Sequence, residues 1–527
     1  MSKFFNLICL IIVAFFVYQY HSGDITNTDI LRYSSEYIEL EEDEEDQIDV
    51  VILKNKTIDL KNFLIESPTD FDQIFLIAEN HSWQGRDAIL SNNKISALNI
   101  RSSFWAFEKE KGFYYKLKLI ENYFPKTKIL PILIKDFAST DDLDNLAYKI
   151  ATKYNGKTLI IALSDLSKTY SDQLTKFHDE INLEMIKSSD SEIVFDLNLD
   201  SAPVLYLAFE LSEKPLFYGE NFVSTDKPLS IMAFGDMMLG RYVRTLMDRY
   251  GKDYIFENIR GEDNEFFKNT DVVFGNLEGP IKGHGRSGGT SMVFAFNEDI
   301  SDFLKKYNFN LVSLANNHAV DAGWSGRDTT IDALNKSGVD WCGHPSEADP
   351  SSVYYKDNFA FVCLHDVTFK LDDNAAVELI KEVRKKVDYL IVTIHWGYEY
   401  QHTASFGNQI EPGRAFIDAG ADMVIGHHPH VVQNFEIYKN KLIFYSLGNF
   451  VFDQYWSSET QEELALGTIM QENRIKVYLF PMKSEMSQSR LMNEAEKKAW
   501  FEEFISYGDY SETTKNQIRN GFIEVKD

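Results

Sequence analysis

Short apolar runs punctuated by polar clusters recur along the chain, and between them lie stretches with apolar residues three and four positions apart. From about residue 50 to 225, IDVVIL, QIFLIA, KILPILI, TLIIALS and VLYLAF read as strands, while DDLDNLAYKIATKY and SDQLTKFHDEINLEMI carry helical spacing. Such alternation predicts a largely parallel sheet with helices on both faces. The pattern breaks between Lys214-Pro215 and Lys227-Pro228, where the prolines, Gly219 and Ser224 predict a linker. It restarts at LSIMAFGD and runs to about residue 485, and from Met486 on a polar amphipathic helix containing AEKKAWFEEFI and a tail are expected. The predicted organisation is therefore a membrane anchor or signal over 1–25, a linker over 26–50, an α/β domain over 51–225, a second α/β domain over 228–485 and a C-terminal helical tail over 486–527.

The N-terminus bears on compartment. Lys3 precedes a nearly unbroken apolar run from Phe4 to Tyr18, short for a spanning helix but extensible into the interface through Gln19 and Tyr20. No small-x-small cleavage site follows, so an uncleaved single-pass membrane anchor with extracytoplasmic domains is expected, with secretion after signal cleavage as the alternative. Cys9 lacks the small residues that precede a lipidation cysteine. The run EEDEED from Glu41 to Asp46 repels itself and reads as a solvated linker; it has no glycine turn of the EF-hand type.

The 527 residues carry 53 Lys plus Arg against 81 Asp plus Glu, a formal charge of −28, which argues against duplex nucleic acid as a partner. Apolar residues at 44% and charged residues at 25% are ordinary for folded chains. The 3 cysteines, Cys9, Cys342 and Cys363, cannot build a disulfide scaffold, and no C-x-x-C pair exists. Cys342, His344, Cys363 and His365 are too tightly spaced for a usual zinc finger, and packing is the expected role. GHGRSGGT, from Gly283 to Thr290, lacks the Lys-Ser/Thr of a P-loop and reads as a mobile loop near the site.

Chemistry concentrates in the second half, where six apolar runs each end in a polar cluster. These are Gly235-Asp236, Gly275-Asn276-Leu277-Glu278, Asn316-Asn317-His318, His395-Trp396-Gly397, Gly426-His427-His428-Pro429-His430 and Leu447-Gly448-Asn449. Ligands of open α/β sheets bind outside the carboxyl ends of the strands, so six such ends imply one shared site. Carboxylate, imidazole and amide oxygen donors without cysteine suit a divalent ion, Mn, Fe or Zn. His428 and His430 would share a face if the chain stays extended, which Pro429 favours. Two ions clamping attacking and leaving oxygens are the mechanism such a ligand set supports. Trp396, Tyr398, Tyr400 and Trp456 are expected to pack rather than to stack on a ligand.

GDMMLGR, FGNLEGPI, SLANNHAVDAG, VTIHWGYEY, DAGADMVIGHHPHVVQ and YSLGNFVFD together resemble the CapA family of capsule synthesis proteins over roughly residues 228 to 485. The resemblance implies a C-terminal four-layer α/β/β/α metallophosphoesterase-like domain, following the other α/β domain, and a part in bacterial poly-γ-glutamate capsule production. Carried over by motif, Asp236, Glu278, Asn317, His395, His428 and His430 are implied metal ligands for one or two ions, with Glu278 bridging. His318 is the implied general acid, with Asn317 beside it; Asn276, Arg241, Glu399 and Asn449 are implied at the substrate. The first motif departs from the phosphoesterase Asp-x-His, reading Asp236-Met237-Met238, so one metal position is weak unless Asp321 or Glu399 fills it.

The implied activity is a metal-dependent hydrolase or transferase acting on an anionic cell-surface polymer. A phosphoesterase on phosphate mono- or diesters and a non-catalytic scaffold of a capsule synthase complex are the alternatives. Implied partners are the polymer or phosphoester, the membrane through the N-terminal segment, and capsule synthase subunits; an anionic polymer would need local cations such as Arg241 and Arg286.

The first half, over about residues 50 to 210, resembles the Memo family, the B component of the AmmeMemoRadiSam system, through QIFLIAENHS, KTKILPILI, KTLIIALSDLSKTY and HDEINLEMI. His81 matches a metal-site histidine of that family, whereas Lys111 after Glu110 and Ser167-Lys168 replace the other imidazoles. The resemblance therefore implies a degenerate, non-catalytic module.

Overall fold

Fifteen strands among the described residues of the C-terminal half arrange its apolar runs into two sheets, and the N-terminal half builds a third. The computed structural model describes residues 227–282 and 292–526. In the N-terminal half it describes the segments 48–54, 71–80, 88–91, 111–135, 137–154, 157–164, 169–187 and 201–211, with shorter pieces between them. The apolar run at 4–18, the acidic run at 41–46, His81, Glu110, Lys168, Arg286 and the glycine-rich stretch at 283–290 lie outside the described residues. Among the described residues no helix is long and apolar enough to cross a membrane.

β1 (Ile48–Lys54), β2 (Gln73–Glu79), β3 (Ile89–Ser91), β4 (Arg101–Ser102), β5 (Lys128–Ile134), β6 (Thr158–Ser164) and β7 (Leu216–Phe217) form the first sheet in the order β4-β3-β5-β2-β6-β1-β7. Among the described residues only the β3–β5 pairing is antiparallel, as alternating strands and helices predict. One element differs from expectation. VLYLAF lies within a helix, Ala202–Leu211, in which Pro203 to Ala208 are all buried. A helix buried all round shows no period, so an unbroken apolar run of six cannot be told from a central strand.

The second half comprises β8 (Leu229–Met237), β9 (Val272–Leu277), β10 (Leu311–Ser313), β11 (Asp340–Cys342), β12 (Val353–Lys356), β13 (Phe359–His365), β14 (Tyr389–His395), β15 (Met423–His427), β16 (Phe435–Tyr438), β17 (Lys441–Phe444), β18 (Asn449–Val451), β19 (Glu462–Gln471), β20 (Arg474–Glu485), β21 (Gln488–Leu491) and β22 (Phe522–Lys526). A nine-stranded sheet runs β11-β10-β9-β8-β19-β20-β21, with β18 on β8 and β22 on β20; a six-stranded sheet runs β12-β13-β14-β15-β17-β16.

Side-chain alternation stacks them. Leu229, Ile231 and Ala233 of β8 and Phe359, Phe361 and Cys363 of β13 meet in one core between the sheets. The intervening Met232 and Phe234 face an outer core closed by Val243 and Met247 of the helix Arg241–Tyr250 and by Phe303 and Leu334 of two further helices. Ala360, Val362 and Leu364 face the opposite outer core, closed by Ile380 and Val383 of Asp373–Arg384 and Phe416 of Glu411–Asp418. The layer order is α/β/β/α.

The segment after Met486 is not a helical tail. It supplies β21 and β22 to the nine-stranded sheet, and its helices Glu494–Ser506 and Glu512–Arg519 insert Trp500, Phe504 and Ile518 into the inter-sheet core. Burial of those side chains makes residues 486–526 part of the domain. Cys342 and Cys363, expected merely to pack, are joined as a disulfide that ties β11 of one sheet to β13 of the other.

The two halves belong to one unit spanning residues 48–527. The helix Asp172–Lys187 seals them together: Leu174, Phe177 and Ile181 enter the outer core of the nine-stranded sheet. Beside them the Glu180 carboxylate receives Arg474, Tyr478 and Lys476, the last at 2.6 Å. Burial opposes ionisation of Glu180, but Lys476 and Arg474 outweigh it and hold its carboxyl below the usual range.

His178, one position along, is buried with Nε2 lacking a hydrogen-bond partner, and burial pushes its pKa down to about 4 from 6.5. Between those values the unfolded chain binds a proton that the folded chain refuses, so stability falls as pH drops through 6.5 and levels off near 4. The loss is at most about 3 kcal/mol. Denaturant unfolding of the wild type and His178→Met from pH 7.5 to 4.5 should show the variant losing correspondingly less; parallel curves would contradict this.

Candidate metal centre

Both sheets turn polar at the same end. β8, β9 and β10 run parallel in one sheet, and β14, β15 and β17 in the other, so all six predicted clusters lie at carboxyl ends facing one region. On the inter-sheet face the apolar residues give way, in register, to Asp236 and Asn276 on one side and His365, His395 and His427 on the other. The sheets close tightly there. A Cβ on Gly235 would stand 2.0 Å from Gly448 O, and one on Gly426 would stand 1.9 Å from Tyr445 O, so only glycine admits the chain crossings beside Asp236 and His427.

Asp236, wholly buried, is the hub. Its Oδ1 accepts from Asn276 Nδ2 at 2.7 Å and lies 3.5 Å from His427 Nδ1 and 3.9 Å from His395 Nδ1. Its Oδ2 accepts the His428 amide at 3.2 Å and lies 3.5 Å from His430 Nδ1. Glu278 follows at the end of β9, 3.9 Å from His430 Nε2 and 3.8 Å from His318 Nε2, with neither carboxylate oxygen hydrogen-bonded.

At these strand ends two groups bring ligand atoms within 4.8 Å of one another: Asp236, Glu278 and His430; and Glu399, His428 and His430. The shared member is His430, where the motif implies Glu278. Of the two substitutes for the missing first-motif histidine, Glu399 joins a ligand group and Asp321 does not. His395 and Asn317, both implied ligands, meet, Nε2 to Oδ1 at 2.7 Å. His428 and His430 converge by a different route from the extended backbone that Pro429 favours: φ is 98° and 59°, left-handed values uncommon for residues with a side chain.

Buried carboxylates and imidazoles shift one another's protonation at this cluster. Burial, then the charges of Asp236 and of the more distant Glu399 and Asp321, push Glu278 well above the usual carboxyl range. His430 answers them: burial opposes its charge, but Glu278 and Asp236 raise it to about 9, making it the proton-bearing cation between two carboxylates. Burial, helped by the neighbouring histidines, drives His428 down to about 3 and His395 well below 6.5, leaving both as neutral donors. Unpartnered oxygens on Glu278, an unpartnered Nδ1 on His428, and hard oxygen with imidazole donors fit a divalent ion.

His318 is held ready beside this cluster. Its Nδ1 sits 2.8 Å from Asp321 Oδ2, which also accepts the Phe294 amide, and its ring stacks on Phe294 at 3.9 Å. With Nδ1 occupied, Nε2 points towards Glu278.

Three residues expected at the substrate do other work. Asn276 is fully buried, donating to Asp236 and receiving Asn316. Asn449 accepts from His430 Nδ1 at 2.9 Å and donates to Gln454 and Thr460, which orients that imidazole. Arg241 is paired with Asp453 through both its Nε and Nη2, and lies over Phe294 and Phe452, so it is not offered to a ligand. Glu399 alone of the four is exposed.

Reading by motif passed over His427, whose two nitrogens lack hydrogen-bond partners although the ring is buried against Asp236. The period of two along MVIGH, which puts 423, 425 and 427 on one face, carries that signal. Trp396 packs in the core as expected, whereas Tyr398, Tyr400 and Trp456 are exposed.

A cleft of about 720 Å³ opens over Asn317 and His428, lined further by Asp366, Val367, Lys370, Gly397, Tyr398, Glu399, Tyr400 and Asn408.

Residues 230–454 match the family described as bacterial capsule synthesis protein PGA_cap. The chain is 33% identical over 258 residues to capsule biosynthesis protein CapA of Bacillus anthracis, covering 44% of this chain and 62% of that protein. It is 34% identical over 254 residues to PGA biosynthesis protein CapA of Bacillus subtilis, covering 44% and 66%. A probable polyglutamine synthesis accessory protein of Mycobacterium tuberculosis is 25% identical over 285 residues, covering 43% and 74%. Among solved structures, a purple acid phosphatase from yellow lupin seeds aligns with 42% of this chain and 52% of its own at 10% identity and a TM-score of 0.24. The chain thus spans less than two thirds of the length of either Bacillus relative.

Proposed function

We propose, from the premise that this chain belongs through residues 230–454 to the bacterial capsule synthesis protein PGA_cap family, that it acts in making or processing a capsule polymer of the poly-γ-glutamate type through a divalent-metal site. The observation that carries this reading is the pair of ligand groups that include His430, of which His428 and Glu399 line an open cleft, with an oriented histidine beside them. His430 has one nitrogen to give, Nε2, because Nδ1 is engaged by Asn449, so it would complete either Asp236 and Glu278 or Glu399 and His428 around an ion. A bound divalent ion polarises a carbonyl or phosphoryl oxygen and activates water near neutral pH. His318 then carries the proton for the leaving group at Nε2, and Asp321 fixes its ring and tautomer. Loading the ion requires His430 to give up its proton, so metal uptake releases acid.

The apolar N-terminal run and the Cys342–Cys363 disulfide both support placing the folded part outside the cytoplasmic membrane, since disulfides persist in oxidising compartments. The N-terminal domain, sealed to the site-bearing half by the helix Asp172–Lys187, serves in this reading as a scaffold that synthase subunits could engage.

The test is turnover by the purified chain loaded in turn with Mn, Fe and Zn, offered γ-linked polyglutamate and model phosphoesters. Metal-dependent change in polymer length is expected. Phosphoester turnover with an untouched polymer would replace this reading with a phosphohydrolase, and silence on both would favour a scaffold.

A further inference from the structure

A chain of formal charge −28, with carboxylates at its metal centre, repels the polyanion it is proposed to act on unless a cation stands at the cleft. Arg241 is committed to Asp453. Among the described residues lining the cleft, Lys370 is the one lysine or arginine.

Its placement is engineered by its neighbours. Asp366 directly follows β13, and its amide donates to His395 O at 2.9 Å, which anchors the 366–372 loop to the histidine-bearing strand end. The Asp366 side chain is 4% exposed; Oδ1 accepts the Leu371 amide at 2.7 Å and Oδ2 receives Lys370 Nζ at 2.5 Å. Lys370 itself is 64% exposed. A buried carboxylate therefore aims an exposed ammonium, using one of its three donors and leaving two for a ligand. Tyr398 and Tyr400 form another wall, and Asn408 Nδ2 donates to the Tyr398 hydroxyl at 2.6 Å.

We propose that Lys370 is the specificity-determining residue of this cleft: it binds a carboxylate pendant from the polymer next to the bond presented to the metal groups, so that the substrate class is a carboxylate-bearing chain. A γ-linked glutamate chain carries one such carboxylate beside every amide, and its methylenes suit the tyrosine wall. This rests on the polymer-acting reading above.

The test is binding of a γ-linked glutamate oligomer and of its methyl ester to the full chain loaded with Mn, as wild type, Lys370→Gln, Lys370→Glu and Lys370→Arg. Support would be wild-type preference for the acid, about tenfold or greater weakening in Lys370→Gln, further loss in Lys370→Glu, recovery in Lys370→Arg, and ester binding, metal content and melting temperature unchanged throughout. If the wild type binds the acid and Lys370→Gln binds it equally, the assignment to Lys370 falls and the polymer reading stands. If Lys370→Gln weakens a glycerol-phosphate polymer but not the glutamate oligomer, the substrate class is wrong. Failure of the wild type to bind any glutamate oligomer overturns both.

Discussion

Glu278→Gln is expected to strip the protein of metal while leaving the metal-free fold at least as stable as the wild type. Most buried carboxylates are held by donors, and neutralising them costs stability. Glu278 is fully buried with both oxygens unpartnered, and burial and the charge of Asp236 already disfavour its ionisation. The amide is close to isosteric and replaces a carboxyl whose ionisation burial and Asp236 already oppose. Metal affinity should fall about 100-fold or more, since even groups that merely orient ligands cost 10–100-fold. Melting curves with and without Mn read both effects: the wild type should gain about 3 kcal/mol at a hundredfold excess over Kd, and the variant almost nothing. A variant that keeps its metal removes Glu278 from the ligand set.

His318→Ala should do the opposite, keeping the metal and losing turnover. The imidazole is held on one side by Asp321 at 2.8 Å and stacks on Phe294, with Nε2 aimed towards Glu278, which in the proposed reading serves to move a proton. Loss of a positioned acid costs about 10²–10⁴-fold. Asp321→Asn, which leaves the ring but disturbs its tautomer, should cost less and shift the pH profile of the rate. Those rates, on whichever polymer or ester the wild type processes, and metal content are the measurements. Loss of metal with loss of rate in His318→Ala would make His318 a ligand instead.

Much of this was legible in one dimension because strands repeat with a period of two and end in recognisable chemistry. LSIMAFGD, VVFGNL and YLIVTIH each carry apolar residues on the inter-sheet face and a donor at the strand end, and parallel pairing forces such ends to one side. VLYLAF failed for the same reason in reverse, since a segment buried on every side has no period to read.

The partners of each polar side chain were not legible, because they come from residues distant in sequence. Arg241 meets Asp453 across 212 positions, and Asn276 meets Asp236 across 40. An arginine beside a predicted site reads as an anion binder until its carboxylate is found; an asparagine reads as a contact until it is seen to be buried. The disulfide between Cys342 and Cys363 likewise depended on the stacking of two sheets.

The sequence by itself determined the strand ends, the donor chemistry gathered there and the family to which the second half belongs, since these follow from local pattern and residue type. Tertiary structure alone placed His430 in both groups of converging donors, set Asp321 against His318, built residues 486–526 into the sheet and core, and turned Arg241 to Asp453 while leaving Lys370 at the cleft. Those outcomes depend on which charges desolvate together, and only the packed chain sets that.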